Sequence, residues 1–148
     1  MRAIRVATPA CSLAPLIHHR PRTGLEGKFS LEYGIAAALI DRPPGLASFS
    51  DDAVRRPDAV RLTEAVETEA AGERGQDLLA GQAQIEVVLD DGRRVEATLE
   101  LPPGAPDRPA TDEELRSKLV LCAGGEADVL AAVSWESAAT DLRARLVA

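Results

Sequence analysis

IEVVLDDGRRVEATLEL, residues 85–101, is the stretch that decides the fold. Two runs alternate apolar and polar residues on either side of Asp91-Gly92, a pair suited to tight hairpin turns because both tolerate positive φ. Ile85, Val87 and Leu89 share one face of the first arm, and Val95, Ala97, Leu99 and Leu101 share one face of the second. Successive strand side chains point to opposite faces, so this hairpin has one apolar and one polar side. That is the pattern of an antiparallel sheet covered on one face only. The spacing predicts a turn over 90–93 with Ile85, Val87, Leu89, Val95, Ala97 and Leu99 on the covered face.

Outward from the hairpin, the other elements follow from caps and breakers. RAIRVAT (2–8) alternates and reads as a first strand, and VETEA (66–70) alternates weakly enough to be another. Thr23-Gly-Leu-Glu26 has capping-box spacing and opens a helix, from there or from Phe29, that runs to about Ile40. Asp41-Arg-Pro-Pro-Gly stops it. Ser50 is placed to cap DDAVRR, and Pro57 to start DAVRLTEAV. GERGQDLLAG (72–81) is loop-like and PPGAPDRP (102–109) is a stiff connector. Thr111-Asp-Glu-Glu114 is a second capping box, opening a helix that Gly124-Gly125 closes. The order predicts an α+β fold with a small antiparallel or mixed sheet covered by helices on one face, followed by a helical tail.

The totals restrict function. The chain has 148 residues, is 45% apolar and 28% charged, and carries a formal charge of −7. An acidic chain is a poor partner for nucleic acid or an anionic membrane, which need clustered cations. No apolar run approaches the roughly 18 residues of a membrane span. Cys11 and Cys122 lie far apart with no signal peptide ahead of them, so both are expected to be reduced, buried thiols of a cytoplasmic protein. No cofactor motif and no metal cluster is present, and the adjacent His18 and His19 make neither a zinc pair nor a triad.

Positive charge nevertheless gathers in one place. Residues 1–28 hold Arg2, Arg5, Arg20, Arg22 and Lys28 against the single acid Glu26, and then the chain enters an apolar helix with a lone tyrosine, Tyr33. Helix starts offer unpaired N–H groups and a partial positive charge, and guanidinium groups bind carboxylates bidentately. The segment therefore reads as an anion site, with Tyr33 as proton donor or acceptor. On spacing alone, the same residues better describe a core tyrosine with its hydroxyl at the rim, beside solvated charges.

PRTGLEGKFSLEYGIAAALID (21–41) closely resembles the signature of the MmgE/PrpD family, which includes 2-methylcitrate dehydratase, cis-aconitate decarboxylase and iminodisuccinate epimerase. FSDDAVRRPDAVRLTEAV resembles the family's following helices, and residues 84–121 its hairpin, Pro-Gly connector and next helix. The resemblance implies an α+β lid over residues 1–110 and, over 111–148, a helical segment that in the family returns to a large helical domain. It implies that Tyr33 faces the substrate and that Lys28 is the family's usual basic residue, both catalytic. Arg20, Arg22 and Ser30 then contact a small di- or tricarboxylate. The family's large helical domain has no counterpart in these residues. The expectation is therefore the lid part of a lyase or isomerase, inactive as this chain alone. The alternative is a non-catalytic module that binds anions weakly or pairs with another chain. Apolar residues of the tail, with Trp135 among them, are expected to contact a second copy or a separate helical subunit.

Overall fold

The computed structural model describes residues 1–71 and 82–123, which fall into two units divided after Pro109. The first unit is built on strand β1 (Ala3–Pro9), whose Ile4, Val6 and Thr8 are buried while Arg5 faces outward. β1 pairs in parallel with β2 (Val66–Ala71) and antiparallel with β3 (Ala83–Val88), which pairs antiparallel with β4 (Arg94–Leu99). The result is a four-stranded mixed sheet ordered β2-β1-β3-β4, as the α+β expectation requires.

The hairpin registers Ile85 with Ala97 and Val87 with Val95, so its apolar residues do share a face. The turn differs from a two-residue one. Gly92 N–H donates to Leu89 O at 3.0 Å and Leu89 N–H to Arg93 O at 2.9 Å, which makes a three-residue loop. Gly92 holds φ at +85°, the left-handed position such loops end on. The cover also stops short of expectation. Ile85 and Val87 are half-buried, but Val95, Ala97 and Leu99 are exposed, Val95 by 55%. The polar face carries an ion-pair ladder across all four strands, Glu67–Arg5–Glu86–Arg94, at 3.5, 3.1 and 2.6 Å.

Between β1 and β2 lie five short helices: α1 (Ala10–Leu13), α2 (Gly24–Lys28), α3 (Leu31–Asp41), α4 (Asp51–Val54) and α5 (Pro57–Glu64). A 3-10 turn, Leu46–Phe49, precedes α4. The helix expected from Thr23 or from Phe29 to about Ile40 is two, because Ser30 breaks and recaps it close to the later start: its backbone is extended and its hydroxyl accepts from Tyr33 N–H at 3.2 Å. Ser50 caps α4 by accepting from Ala53 N–H, and Pro57 opens α5 at its first turn, both as expected. Leu31, Ile35 and Leu39, spaced to share one stripe of α3, pack on Ile4, Val6 and Val66 of the sheet. The opposite stripe, Tyr33 and Ala37, packs with Val54 and Ala59. α3 is thus the middle layer between sheet and outer helices, and this is why it is apolar nearly all round.

In the second unit α6 (Asp112–Ala123) begins at a true capping box. Glu114 N–H donates to Thr111 Oγ1 at 3.2 Å, and Thr111 N–H to Glu114 Oε2 at 2.9 Å. The 72–81 loop, the Gly124-Gly125 stop and the tail with Trp135 lie outside the described residues. Cys122 is exposed and Cys11 half-buried, contrary to the expectation of two buried thiols. Among the described residues no helix is long and apolar enough to cross a membrane.

Candidate functional site

The segment from His18 to Tyr33 is held in place by glycines and by its own acids. Gly24 and Gly27, one turn apart, face the 3-10 turn and α4. A Cβ on Gly24 would lie 1.9 Å from Phe49 O, and one on Gly27 would lie 3.0 Å from both the Tyr33 ring and Val54. Two bare glycines therefore let the α2 backbone touch its neighbours. Thr23 caps α2 by accepting from Glu26 N–H at 3.3 Å. The return bond of the expected capping box is displaced by one residue: Glu26 Oε2 accepts from Arg22 N–H at 2.6 Å. That bond is the main reason the Glu26 carboxyl sits below its ordinary value. Gly24 N–H donates to Asp51 Oδ1 at 2.8 Å. Of the N–H groups around this helix start, those of Arg22 and Gly24 are thus taken by the chain's own carboxylates and that of Glu26 by the Thr23 hydroxyl.

Ser30 and Glu32 organise the start of α3. Glu32 is buried, and its two oxygens are shared out: Oε1 lies 2.7 Å from His19 Nδ1, within hydrogen-bonding distance, and Oε2 accepts from Ser30 Oγ at 3.3 Å. The bond fixes the imidazole's orientation while most of the His19 ring stays exposed. Arg20 donates to His19 O at 2.8 Å and lies 3.5 Å from Thr63 O. His19 and Glu32 flank an open hollow of about 460 Å³, whose lining includes Leu13, Leu16, Ile17 and Leu31 from the helical side and Thr68 and Ala70 from β2.

Tyr33 is 1% exposed, edge-on to Phe49 with ring centres 5.8 Å apart. Its hydroxyl donates to the Ser48 carbonyl. Burial pushes the phenol above its ordinary pKa, with the nearby Arg56 guanidinium pulling the other way. Arg56 itself is clamped bidentately on Asp41, at 3.0 and 3.1 Å. Those bonds, then one from Ser48, hold the Asp41 carboxyl low. The structure therefore gathers Ser30, Glu32, His19 and Arg20 at one end of the segment, and Tyr33, Ser48, Asp41 and Arg56 at the other. Lys28 and Arg22 stay exposed between them, and Lys28 makes no ion pair among the described residues.

Sequence reasoning missed Glu32, Asp41 and Arg56 as site-shaping groups and left His19 without a role. Glu32 looks ordinary because an acid in a helix's first turn is common. His19–Glu32 and Asp41–Arg56 span 13 and 15 residues, beyond any local spacing rule. Among the described residues no group of three or more His, Cys, Asp or Glu could hold a metal ion.

Residues 1–139 match the model of the MmgE/PrpD C-terminal domain. The chain belongs to the MmgE/PrpD family. Two similar curated proteins carry the name cis-aconitate decarboxylase. One, from Aspergillus terreus (strain NIH 2624 / FGSC A1156), is 34% identical over 114 residues. The other, from Aspergillus terreus, is 32% identical over 114 residues. Each match covers 74% of this chain and 23% of the relative, so the MmgE/PrpD chain described here spans about a quarter of the length of those proteins. The MmgE/PrpD match includes the whole segment from His18 to Tyr33.

Proposed function

We propose that this chain is the lid part of an MmgE/PrpD lyase or isomerase acting on small di- or tricarboxylates, with a site completed by residues outside the chain. The observation that carries the reading is the exposed cationic run Arg20, Arg22 and Lys28 leading into α3, in a chain of net charge −7 that belongs to this family. Cis-aconitate, the compound in the relatives' name, is a tricarboxylate, and such a rim is what would receive one. In this reading Arg20 and Arg22 hold substrate carboxylates and Ser30 fixes the start of α3 behind them. Lys28 and Tyr33 supply protons. With its pKa raised, Tyr33 is neutral near pH 7 and can act as a proton donor, once its hydroxyl leaves the Ser48 carbonyl. General acid–base catalysis needs both donor and acceptor in position. Because the chain spans 23% of its relatives, it alone is expected to turn nothing over.

A second reading, a non-catalytic module that binds anions weakly or pairs with another chain, is favoured by the commitment of the Tyr33 hydroxyl to Ser48 and by the internal carboxylates already bonded to the Arg22 and Gly24 N–H groups. One titration serves both readings. Citrate or cis-aconitate added to the labelled chain is expected to shift amide resonances of residues 20–33, less so at high salt and in Arg22→Ala or Lys28→Ala. Resonances that stay unmoved would remove the carboxylate site from either reading. Turnover of cis-aconitate by the purified chain, abolished in Tyr33→Phe, would overturn the need for outside residues.

A further inference from the structure

β4 is the edge of the sheet, and among the described residues no strand pairs on its far side. Its six residues contain no proline and no bulge, two of the devices that blunt an edge, and its charges, Arg94 and Glu96, are of opposite sign. Leu89 N–H bonds to Arg93 O, and antiparallel bonding alternates from there. Residues 95, 97 and 99 therefore turn their peptide groups to β3, and 94, 96 and 98 turn theirs to the open edge. On the face shared with Ile85 and Val87, Val95 and Leu99 stand 55% and 46% exposed.

The edge is complementary to itself in one register. In an antiparallel pair related by a two-fold axis through the sheet, each residue meets one of the same face. With Ala97 opposite Ala97 of the second copy, Val95 meets Leu99 twice on the apolar face, and Arg94 meets Glu100 twice on the polar face. Glu96 then meets the neutral Thr98, and the outward peptide groups of 96 and 98 fall opposite one another as hydrogen-bonding pairs, with Glu100 just past the end of the strand. A slip of one residue turns the apolar face over. A slip of two in one direction sets Glu96 against Glu96, and in the other sets Glu96 against Glu100. Like charges directly opposite are unfavourable. Arg94 also keeps Glu86 of its own chain at 2.6 Å, which would hold it in place for the pairing.

We propose that β4 is a homodimer interface at which two copies of this chain join edge to edge, in the register Arg94–Glu100, Val95–Leu99 and Ala97–Ala97, into one eight-stranded sheet. The interface is isologous and closes on itself. It is independent of the cationic segment and of the reading given to it.

Charge exchange tests the register. Within one chain residues 94 and 100 lie about 20 Å apart, six residues at ~3.3 Å each, and cannot pair. In sedimentation of the purified full chain, dimer is expected, weakened at least tenfold by Arg94→Glu and recovered by Arg94→Glu with Glu100→Arg. A covalent check uses Ala97→Cys in a Cys11→Ala, Cys122→Ala background. Opposed residues of a non-hydrogen-bonded pair sit about 4.5 Å apart at Cα, within disulfide reach. Oxidation should link Ala97→Cys into dimers but not Val95→Cys, whose mate lies about 13 Å along the strand. Circular dichroism confirms that each variant folds. A chain that is monomeric at every concentration would overturn the proposal. So would a dimer indifferent to Arg94→Glu, a charge-swapped double variant no better than the single, or equal cross-linking at 95 and 97.

Discussion

β1 and β4 are built on the same alternation and end in opposite environments. Ile4, Val6 and Thr8 of β1 are buried, Ile4 and Val6 against Leu31, Ile35 and Leu39 of α3, whereas Val95, Ala97 and Leu99 of β4 are exposed. Alternation fixes which side chains share a face, but how far the opposing layer extends fixes which of them are buried. The helical layer here is made by the chain between β1 and β2. It is centred on those two strands, reaches Ile85 and Val87 on β3, and leaves β4 bare.

Substitution makes that contrast measurable. Ile4→Ala, at a position 0% exposed, should lower unfolding free energy by about 2–5 kcal/mol, read from urea denaturation by circular dichroism. A loss below about 1 kcal/mol would mean that the β1 core is far looser than its burial implies.

Tyr33→Phe should come next, at about 1–3 kcal/mol, because it leaves the Ser48 carbonyl without its donor in a buried place. The same residue predicts an alkaline limb. The folded phenol has a raised pKa, so stability is unaffected below the free tyrosine value of about 10. It falls above that pH, where the unfolded chain gives up a proton that the folded chain retains. As Tyr33 is the sole tyrosine, ultraviolet absorbance follows its ionisation directly. Ionisation at the free value, or an alkaline limb that survives Tyr33→Phe, would contradict the buried hydroxyl.

Val95→Ala should have the smallest effect, within about 0.5 kcal/mol when measured on dilute, monomeric protein. A larger loss would mean that β4 is covered within its own chain, and the contrast between the two strands would vanish.

Much of this was readable from sequence because it rests on local chemistry. Period-two arms around Asp91-Gly92, hydroxyl caps at Thr23, Ser50 and Thr111, and Pro57 at a helix start each bind within a few residues. The signature around Lys28, Ser30 and Tyr33 likewise pointed to the family to which the chain belongs. The unreadable features are those that close over distance. The pairing of Glu32 with His19 depends on the loop after α1 returning to the start of α3. The bare face of β4 depends on how far the helices extend, and no residue within the hairpin records that.

Gly24 carries one more consequence, for how the chain can change length. Its backbone lies so close to the Phe49 carbonyl that even a methyl group is excluded, so two points 25 residues apart in sequence act as a spot weld. Every insertion or deletion between them must be absorbed while that weld and the stacking of α3 on the sheet both hold. The turn after α3, where Arg42, Pro43 and Pro44 are at least partly exposed, is the stretch with slack to do so. Loop grafts at 42–45 should be accepted there, and grafts within 25–30 refused.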